Sequence, residues 1–459
     1  MEPRHRRKVR GTPSRVRTVR SARADRCAFC LDPAAQPRPF PKNIFTQGAE
    51  MTKASARASD EVPFHFEELF FSRTDGAGII LAGNSVFTRV SGYDWDNMVR
   101  KPHKLIRHPD MPRAVFWLLW STIKRGEPIG AYVKNLAKDG RHYWVFAIVT
   151  PIGDHYLSVR LKPSSGLFAA VQKEYEALRD WERREDPAPA DSAARLLARL
   201  KELGFPDYTS FMSDALAAEV AARNTVLGRS QDRSLSIFSD LLASAKALLT
   251  RADVISQAYS RCAYVPLNFQ VQAAHLGDAG VSIGEITKNY NDISAEINRS
   301  MIRFIASAHD VLGTISTGQF LLGTARIQRE VQELFEQELR EGRSGEGVEA
   351  GEISNLKSVR QQSQKRAAEG LLRIGRQAAQ FREDCGEMKR LVAALEVTRV
   401  MSKVEVARLD LANSALNELI EDLDDLQKSV GSGLRDIDLL NDAIGGHTSH
   451  LLRLEKRAA

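Results

Sequence analysis

Apolar residues recur every seven positions over two long stretches of this chain, and that period decides most of what it can fold into. Leu241, Leu248, Ile255, Cys262 and Phe269 form one seam, with Phe238, Ala245, Ala252 and Tyr259 beside it. Leu409, Leu416, Leu423, Val430, Ile437 and Ile444 form another, accompanied by Ala412, Leu419, Leu426 and Leu440. A strict seven-residue repeat belongs to helices that wind against other helices. The spacing predicts long coiled-coil arms. Because each seam is too long to stay bare on a lone helix, it also predicts a homodimer. Gly431 and Gly433 fall inside the second seam and are expected to weaken it. Gly342 to Gly351 is expected to be a flexible break between two helical blocks. Val271 to Leu276 recurs as Val404 to Leu409 in the same heptad register, either a duplicated block or a coincidence of Ala/Leu/Glu-rich helices.

Before about residue 164 the pattern differs. Ile79 to Leu81 reads as a short strand and Asn84 to Val90 as a helical turn with Phe87 and Val90 inward. Ala114 to Ile123 carries Val115, Leu118, Leu119 and Thr122 at helical spacing, with Phe116 and Trp120 widening the apolar face. Ala131 to Val133 and His142 to Thr150 are rich in β-branched and aromatic residues and flank Lys138-Asp139-Gly140, a hairpin signal. His155 to Leu161 is a further strand. Strands interrupted by helices and then paired in hairpins predict an α+β domain with helices on one face of an antiparallel sheet. The expected organisation is a basic arm over 1–60, a sensor domain over 61–165, a helical linker over 166–230 with a hinge at Glu185 to Pro189, a helical hairpin over 231–340, a break over 341–353 and a second coiled-coil segment over 354–459.

One ordered set of residues is specific. Ser72, Thr74-Asp75, Asn84, Phe87, Ser91-Gly92-Tyr93, Pro102-His103, Arg107-His108-Pro109-Asp110-Met111-Pro112, Phe116, Trp120, Gly126, Lys134-Asn135, Tyr143-Trp144-Val145, Pro151 and Ser158-Val159-Arg160 together resemble the PAS domain of bacterial aerotaxis receptors. The resemblance runs from about Phe64 to Pro163. It implies a pocket for non-covalent FAD, used as a redox sensor, with Asn84, Arg107, His108 and Asp110 contacting or organising the flavin and Asn135 and Tyr143 as further contacts. The residue types suit that ligand: a guanidinium can hold phosphate bidentately, and amides can meet a ring edge. By side-chain chemistry alone, Arg107 and Asp110 could equally pair with each other. Haem is held by other PAS domains, but His103 and His108 follow the flavin-binding pattern. Ile129 stands where flavin binders of the family carry a tryptophan.

A second, shorter resemblance covers about twenty residues. Leu267-Asn268, Val271, Ala273-Ala274, Gly277-Asp278 and Gly280 are similar to the hairpin tip of methyl-accepting chemotaxis receptors. It implies docking to a chemotaxis histidine kinase and its coupling adaptor, with Asn268, Gln272 and His275 as candidate contacts. Gln272 and His275 replace an acidic residue and an arginine of that tip, and Pro266 interrupts the incoming helix.

The net charge of +7 is not spread along the chain. Residues 1–50 hold twelve Lys/Arg against four Asp/Glu, so the remainder is close to neutral. No nucleic-acid partner is expected, and the arm is expected to be disordered. No stretch reaches the roughly 18 apolar residues of a membrane span. Four cysteines suit a reducing, cytoplasmic setting, and Cys27-x-x-Cys30 lacks the second ligand pair of a zinc site. Phosphate loops, zinc-protease histidine pairs and nucleophile elbows are missing, so a signalling protein is expected before an enzyme. A coiled-coil scaffold serving a partner outside chemotaxis is the alternative, and a flavoenzyme is a third reading.

Overall fold

The computed structural model describes residues 60–261, 264–275, 281–342, 351–408 and 415–458. Five strands form one antiparallel sheet: β1 (Phe70–Asp75), β2 (Ile80–Gly83), β3 (Ile129–Leu136), β4 (His142–Ile152) and β5 (His155–Leu161), in the order β2-β1-β5-β4-β3. Between β2 and β3 run α1 (Ser85–Ser91), α2 (Trp95–Met98), a 3-10 turn at His103–Ile106 and α3 (Arg113–Ile123). The α+β expectation holds. β1 went unread in the sequence because its two faces are both covered: Ser72 and Thr74 point one way, Phe71 and Arg73 the other. No alternation of apolar and polar residues remains to be seen there.

α4 (Gly166–Glu185), α5 (Pro189–Glu202) and α6 (Tyr208–Val226) follow. They pack onto the domain, sharing its core through Val171, Leu178, Leu196, Phe211 and Leu216. The expected hinge at Glu185 to Pro189 is a fastened turn. Arg113 donates to the Asp186 carboxylate at 2.7 Å, and Ser192 Oγ donates to the buried Glu182 at 2.5 Å. Glu182 also accepts from the backbone N–H groups of Arg113 and Ala114, which ties α4 to the start of α3.

Long helices complete the chain: α7 (Arg233–Arg261), α8 (Val265–His275), α9 (Val281–Arg340), α10 (Gly351–Arg408) and α11 (Ala415–Ala458). α7, α9, α10 and α11 pack on one another around a single core. Leu241, Leu248, Ile255 and Phe269 of the first seam and Leu423, Val430, Ile437 and Ile444 of the second all lie in it. Cross-links confirm the pairing: Arg251 of α7 pairs with Asp436 of α11 at 3.4 Å, and Asn441 of α11 donates to the Ala378 carbonyl of α10 at 3.0 Å. Among the described residues each seam is covered by helices of the same chain, so the seams can be buried within one chain and do not by themselves require a second copy. Gly433 is also corrected. A Cβ there would stand 2.8 Å from Ile255, so its bareness lets α11 close on α7. Cys27, Cys30, Cys262, Leu409, Ala412, the Leu416 side chain and most of the Gly342 to Gly351 break lie outside the described residues.

α9 and α10 also reach the sheet. The C-terminal part of α9 and the start of α10 belong to the same core as the sheet through Phe320, Ile327, Val331, Phe335, Leu356 and Val359. Gly130 makes room for this: a Cβ there would lie 2.8 Å from both Phe146 and Phe320.

Candidate functional site

Strand alternation gives the sheet two different faces. On one face, Ser72 and Thr74 of β1, Val133 and Asn135 of β3, Ala147 and Val149 of β4, and Tyr156, Ser158 and Arg160 of β5 line a cavity of about 310 Å³. α3 closes it with Phe116, Leu119, Trp120 and Ile123, and the 3-10 turn supplies His103 and Lys104. On the other face, Phe71 meets Phe335 edge to face at 5.0 Å, Arg73 holds Glu352, Thr150 accepts from Gln328, and Tyr132 donates to Glu219. One layer of backbone separates the cavity from the long helices.

Arg160 dominates the polar part of the cavity. It is 2% exposed, and burial pushes its pKa down to about 10. Its Nη2 donates to Ser72 Oγ at 2.9 Å and lies 2.6 Å from His103 Nε2, while Nη1 is buried with no partner. No carboxylate pairs with it among the described residues. His103 borders the cavity, and burial followed by the charge of Arg160 pushes its pKa down to about 3, so it is neutral and accepts from the guanidinium. Asn135 is 3% exposed and its Nδ2 is also buried without a partner. An unpaired buried guanidinium and amide are costly, on the order of 1–3 kcal/mol for each missing hydrogen bond and more for a charge. A ligand carrying acceptors would satisfy both.

Of the six residues expected to hold a flavin, Arg107 and Asn135 line the cavity. The Arg107 guanidinium stacks on the Phe116 ring at 3.7 Å. Tyr143 lies on the same face of the sheet, fully buried, with an unpartnered hydroxyl whose pKa burial raises. The other three sit elsewhere. Asn84 accepts from Phe71 N–H and donates to the Leu69 carbonyl and Glu338, joining β1 to α9. His108 turns its Nδ1 toward the Asp110 N–H at 3.1 Å, and burial holds its pKa below the ordinary value. Asp110 pairs with Arg183 at 2.6 Å and Lys134 at 3.6 Å rather than with Arg107. Ile129 is buried in β3 and does not line the cavity, whose aromatic surface comes from Phe116, Trp120 and Tyr156.

Arg160 and His103 escaped the sequence reading as ligands. Alternation hid it: Leu157, Val159 and Leu161 on one face and Ser158 and Arg160 on the other read as a strand with one face in water, and only the covering by α3 and the 3-10 turn makes the second face a cavity wall. Asn268 and His275 on α8 are exposed and Gln272 is half-buried, while the turn after them, residues 276–280, lies outside the described residues. No group of acidic, histidine and cysteine side chains suited to a metal is present among the described residues. Nor is any described helix long and apolar enough to cross a membrane.

Residues 80–160 match the family model described as the PAS fold. Over 121 residues the chain is 39% identical to the aerotaxis receptor of Escherichia coli (strain K12), covering 25% of this chain and 24% of that protein. Over 95 residues it is 27% identical to the nitrogen fixation regulatory protein of Klebsiella pneumoniae, covering 19% of each. A solved structure, the light state of the blue-light photoreceptor Aureochrome1 LOV, aligns at 19% identity over 23% of this chain and 88% of that one, with a TM-score of 0.21. The chain thus spans about a quarter of the aerotaxis receptor's length and about a fifth of the nitrogen fixation protein's.

Proposed function

We propose that the PAS domain of this chain is a sensor that holds a flavin non-covalently and passes its redox state through the sheet to the long helices. The observation that carries this reading is Arg160, a buried cation with no counter-ion among the described residues, facing a cavity walled by aromatic rings. The size supports it too. At about 310 Å³ the cavity is near the lower end of ligand pockets, which run from roughly 300 to 1,000 Å³, so it suits a ring system better than a whole dinucleotide.

A bound flavin supplies a ring whose charge differs between its oxidised and reduced forms. The chain's own residues give that difference something to act on. Arg160 and Asn135 present donors toward the cavity, and His103 is neutral, so Arg160 carries the fully buried positive charge there. Negative charge arriving beside the buried Arg160 guanidinium is stabilised more than in bulk water, because the guanidinium is shielded from solvent. A ligand shifts a conformational equilibrium only by the difference in its interaction with two states, and here that difference falls on β5 and on its neighbour β1. β1 is bonded on its far face to α9 and α10. Movement of the sheet therefore changes contacts with the helical bundle.

The output belongs to the same reading. By resemblance, the region around α8, with Asn268, Gln272 and His275, docks a chemotaxis-type kinase and adaptor, in a cytoplasmic setting and without catalysis by this chain. The scaffold reading keeps the sensor and changes only the partner. Two measurements test these steps. Purified full-length protein should show flavin absorption, or take up FAD when unfolded in part and refolded with it; a colourless protein that takes up none ends the flavin reading. A pull-down with kinase and adaptor, in oxidised and reduced states, separates the two outputs, since no binding in either state favours the scaffold.

A further inference from the structure

The repeat in the long helices runs through whole hairpins. α7 with α8 and then α9 make one hairpin, α10 and α11 make another, and buried positions recur between them at a constant spacing of 133 residues: Ile255 and Met388, Ile297 and Val430, Phe304 and Ile437. Exposed apolar positions recur at the same spacing. Tyr264, Leu267 and Val271 of α8 correspond to Val397, Val400 and Val404 of α10, and all six are exposed. A shared core explains why the buried pattern repeats, but it sets no demand on an outer face. On α10 that outer face is the more apolar one. The inner line there is Leu395, Thr398, Ser402 and Val406, all buried, with both hydroxyls bonded back to carbonyls of their own helix. On the opposite side of the helix, Ala393, Val397, Val400, Val404 and Ala407 are exposed at alternating steps of four and three. Val397, Val400, Val404 and the adjoining Met401 are between 48% and 62% exposed. This spacing makes a coiled-coil seam, and no described helix of the chain lies on it. α10 packs on α9 and α11, as α8 does, so the two outer faces look away from each other across the bundle.

We infer that the outer face of α10 is an interface for a second copy of this chain, and that the two copies pair antiparallel, overlapping only at the distal ends of their bundles. Charge selects the partner and the direction. Glu396 and Lys403 are exposed on one flank of the seam, one heptad apart, and Met401 and Arg408 are exposed on the other. When identical helices pair in parallel, a residue on the first flank faces the partner's residue five positions further on, which sets Lys403 against Arg408 and Glu396 against Met401. When they pair antiparallel, like flanks meet, and Glu396 of each copy faces Lys403 of the other. Self-pairing is complementary in that direction alone. At the position on α8 that corresponds to Lys403 stands the uncharged Gln270, so α8 lacks this selection. Antiparallel pairing also keeps the sensors clear of each other. Leu356 and Val359, where α10 joins the core of the sheet, lie roughly 50 Å along the helix from the seam. A seam this short buries less than the roughly 800 Å² per partner of a standard interface, so the pairing is reversible and is lost before the bundle melts. It joins the distal ends of two sensors and leaves α8 open on the far side of each. The face lies outside the sensor domain, so pairing needs no ligand in the cavity.

Sedimentation equilibrium of the full-length chain tests this. Monomer and dimer should exchange between about 1 and about 100 μM. Val400→Asp with Val404→Asp, at exposed positions that the fold does not need, should weaken association at least about tenfold and leave the circular dichroism spectrum unchanged. Lys403→Glu alone should weaken it about threefold, because Glu396 then faces a carboxylate, and adding Glu396→Lys should restore it. Leu267→Asp with Val271→Asp on α8 should leave it unchanged within about twofold. A chain that stays monomeric throughout overturns the inference and leaves the face to a helix of another protein. Association that survives the Val400→Asp, Val404→Asp change, or falls as far with the α8 changes, overturns the α10 interface. A Lys403→Glu variant that associates more tightly, by attracting Arg408, overturns the antiparallel direction.

Discussion

Ser72 and Arg73 are adjacent in β1 and bind to opposite faces of the sheet: Ser72 Oγ accepts from Arg160 in the cavity at 2.9 Å, and Arg73 grips Glu352 of α10 with its shortest contact at 2.6 Å. The pair is the shortest covalent route from the cavity to the long helices. It also makes a strong test of the coupling, because either half can be changed alone.

Arg73→Ala should release the start of α10 from the sheet. Glu352 is 3% exposed and receives three hydrogen-bond contacts from two nitrogens of the Arg73 guanidinium, so truncation removes both and leaves the buried carboxylate with Asn355 as its donor. Breaking a buried pair costs about 3–5 kcal/mol, and the partial exposure of Arg73 reduces this to about 2 kcal/mol. Urea denaturation should record the loss. Hydrogen exchange should rise first around residues 351–359, and the double change Arg73→Leu with Glu352→Leu should recover most of the stability. Unchanged exchange at α10 in the single variant would show that the contact does not hold the helix.

Acid should weaken the domain through His103. Its folded pKa of about 3 lies below the ordinary value of 6.5, so between those values the unfolded chain binds the proton and the folded chain does not. Stability from this residue is complete above about pH 6.5 and is lost as pH falls toward 3, with a slope of at most about 1.4 kcal/mol per pH unit. His103 borders a cavity that water can enter, which makes that slope an upper figure. Denaturation at pH 7 and pH 5 should show a larger loss in the wild type than in His103→Asn. Equal losses would mean that the imidazole is protonated in the folded state.

What the sequence revealed and what it hid follow from periodicity. The seven-residue seams announced long helices, and the hairpin at Lys138-Asp139-Gly140 announced β3 and β4, because each pattern is local. Which seam covers which is not local: Ile255 and Gly433 meet across 178 positions, and a heptad reads the same whether its partner is a second copy or another part of the same chain. The site divided in the same way. Arg107 and Asn135 were found through the ordered motif, while strand alternation turns Arg160 into the cavity, where no carboxylate among the described residues pairs with it. Asn84 kept its place in the motif and serves the helical face, where Glu338 is its partner.

Leu423→Asp tests whether the bundle is complete within one chain. Leu423 is 1% exposed in the helical core, and a carboxylate there has neither partner nor water, a cost of at least about 4 kcal/mol. Helicity followed by circular dichroism should melt at much lower temperature. The wild-type midpoint should be independent of protein concentration over a hundredfold range. A midpoint that rises with concentration would restore the homodimer as the unit that covers the seams.

The two glycines of the second seam should respond to alanine with opposite signs. An isolated helix gains about 1 kcal/mol when alanine replaces glycine. At Gly431 the nearest atom to a new Cβ is the flexible end of Arg435 at 3.8 Å, so Gly431→Ala should raise the thermal midpoint by something close to that intrinsic gain. At Gly433 the new Cβ meets two atoms of Ile255 at 2.8 Å, and Ile255 is itself 2% exposed and hemmed in by the core. Overpacking of this kind costs about 1–3 kcal/mol, enough to cancel or reverse the propensity gain. Gly433→Ala should therefore lower the midpoint, and adding Ile255→Val, which removes the Cδ1 methyl and keeps a γ carbon, should recover part of the loss. If both alanine variants stabilise equally, α7 and α11 do not meet at this point, and the second seam has a different partner.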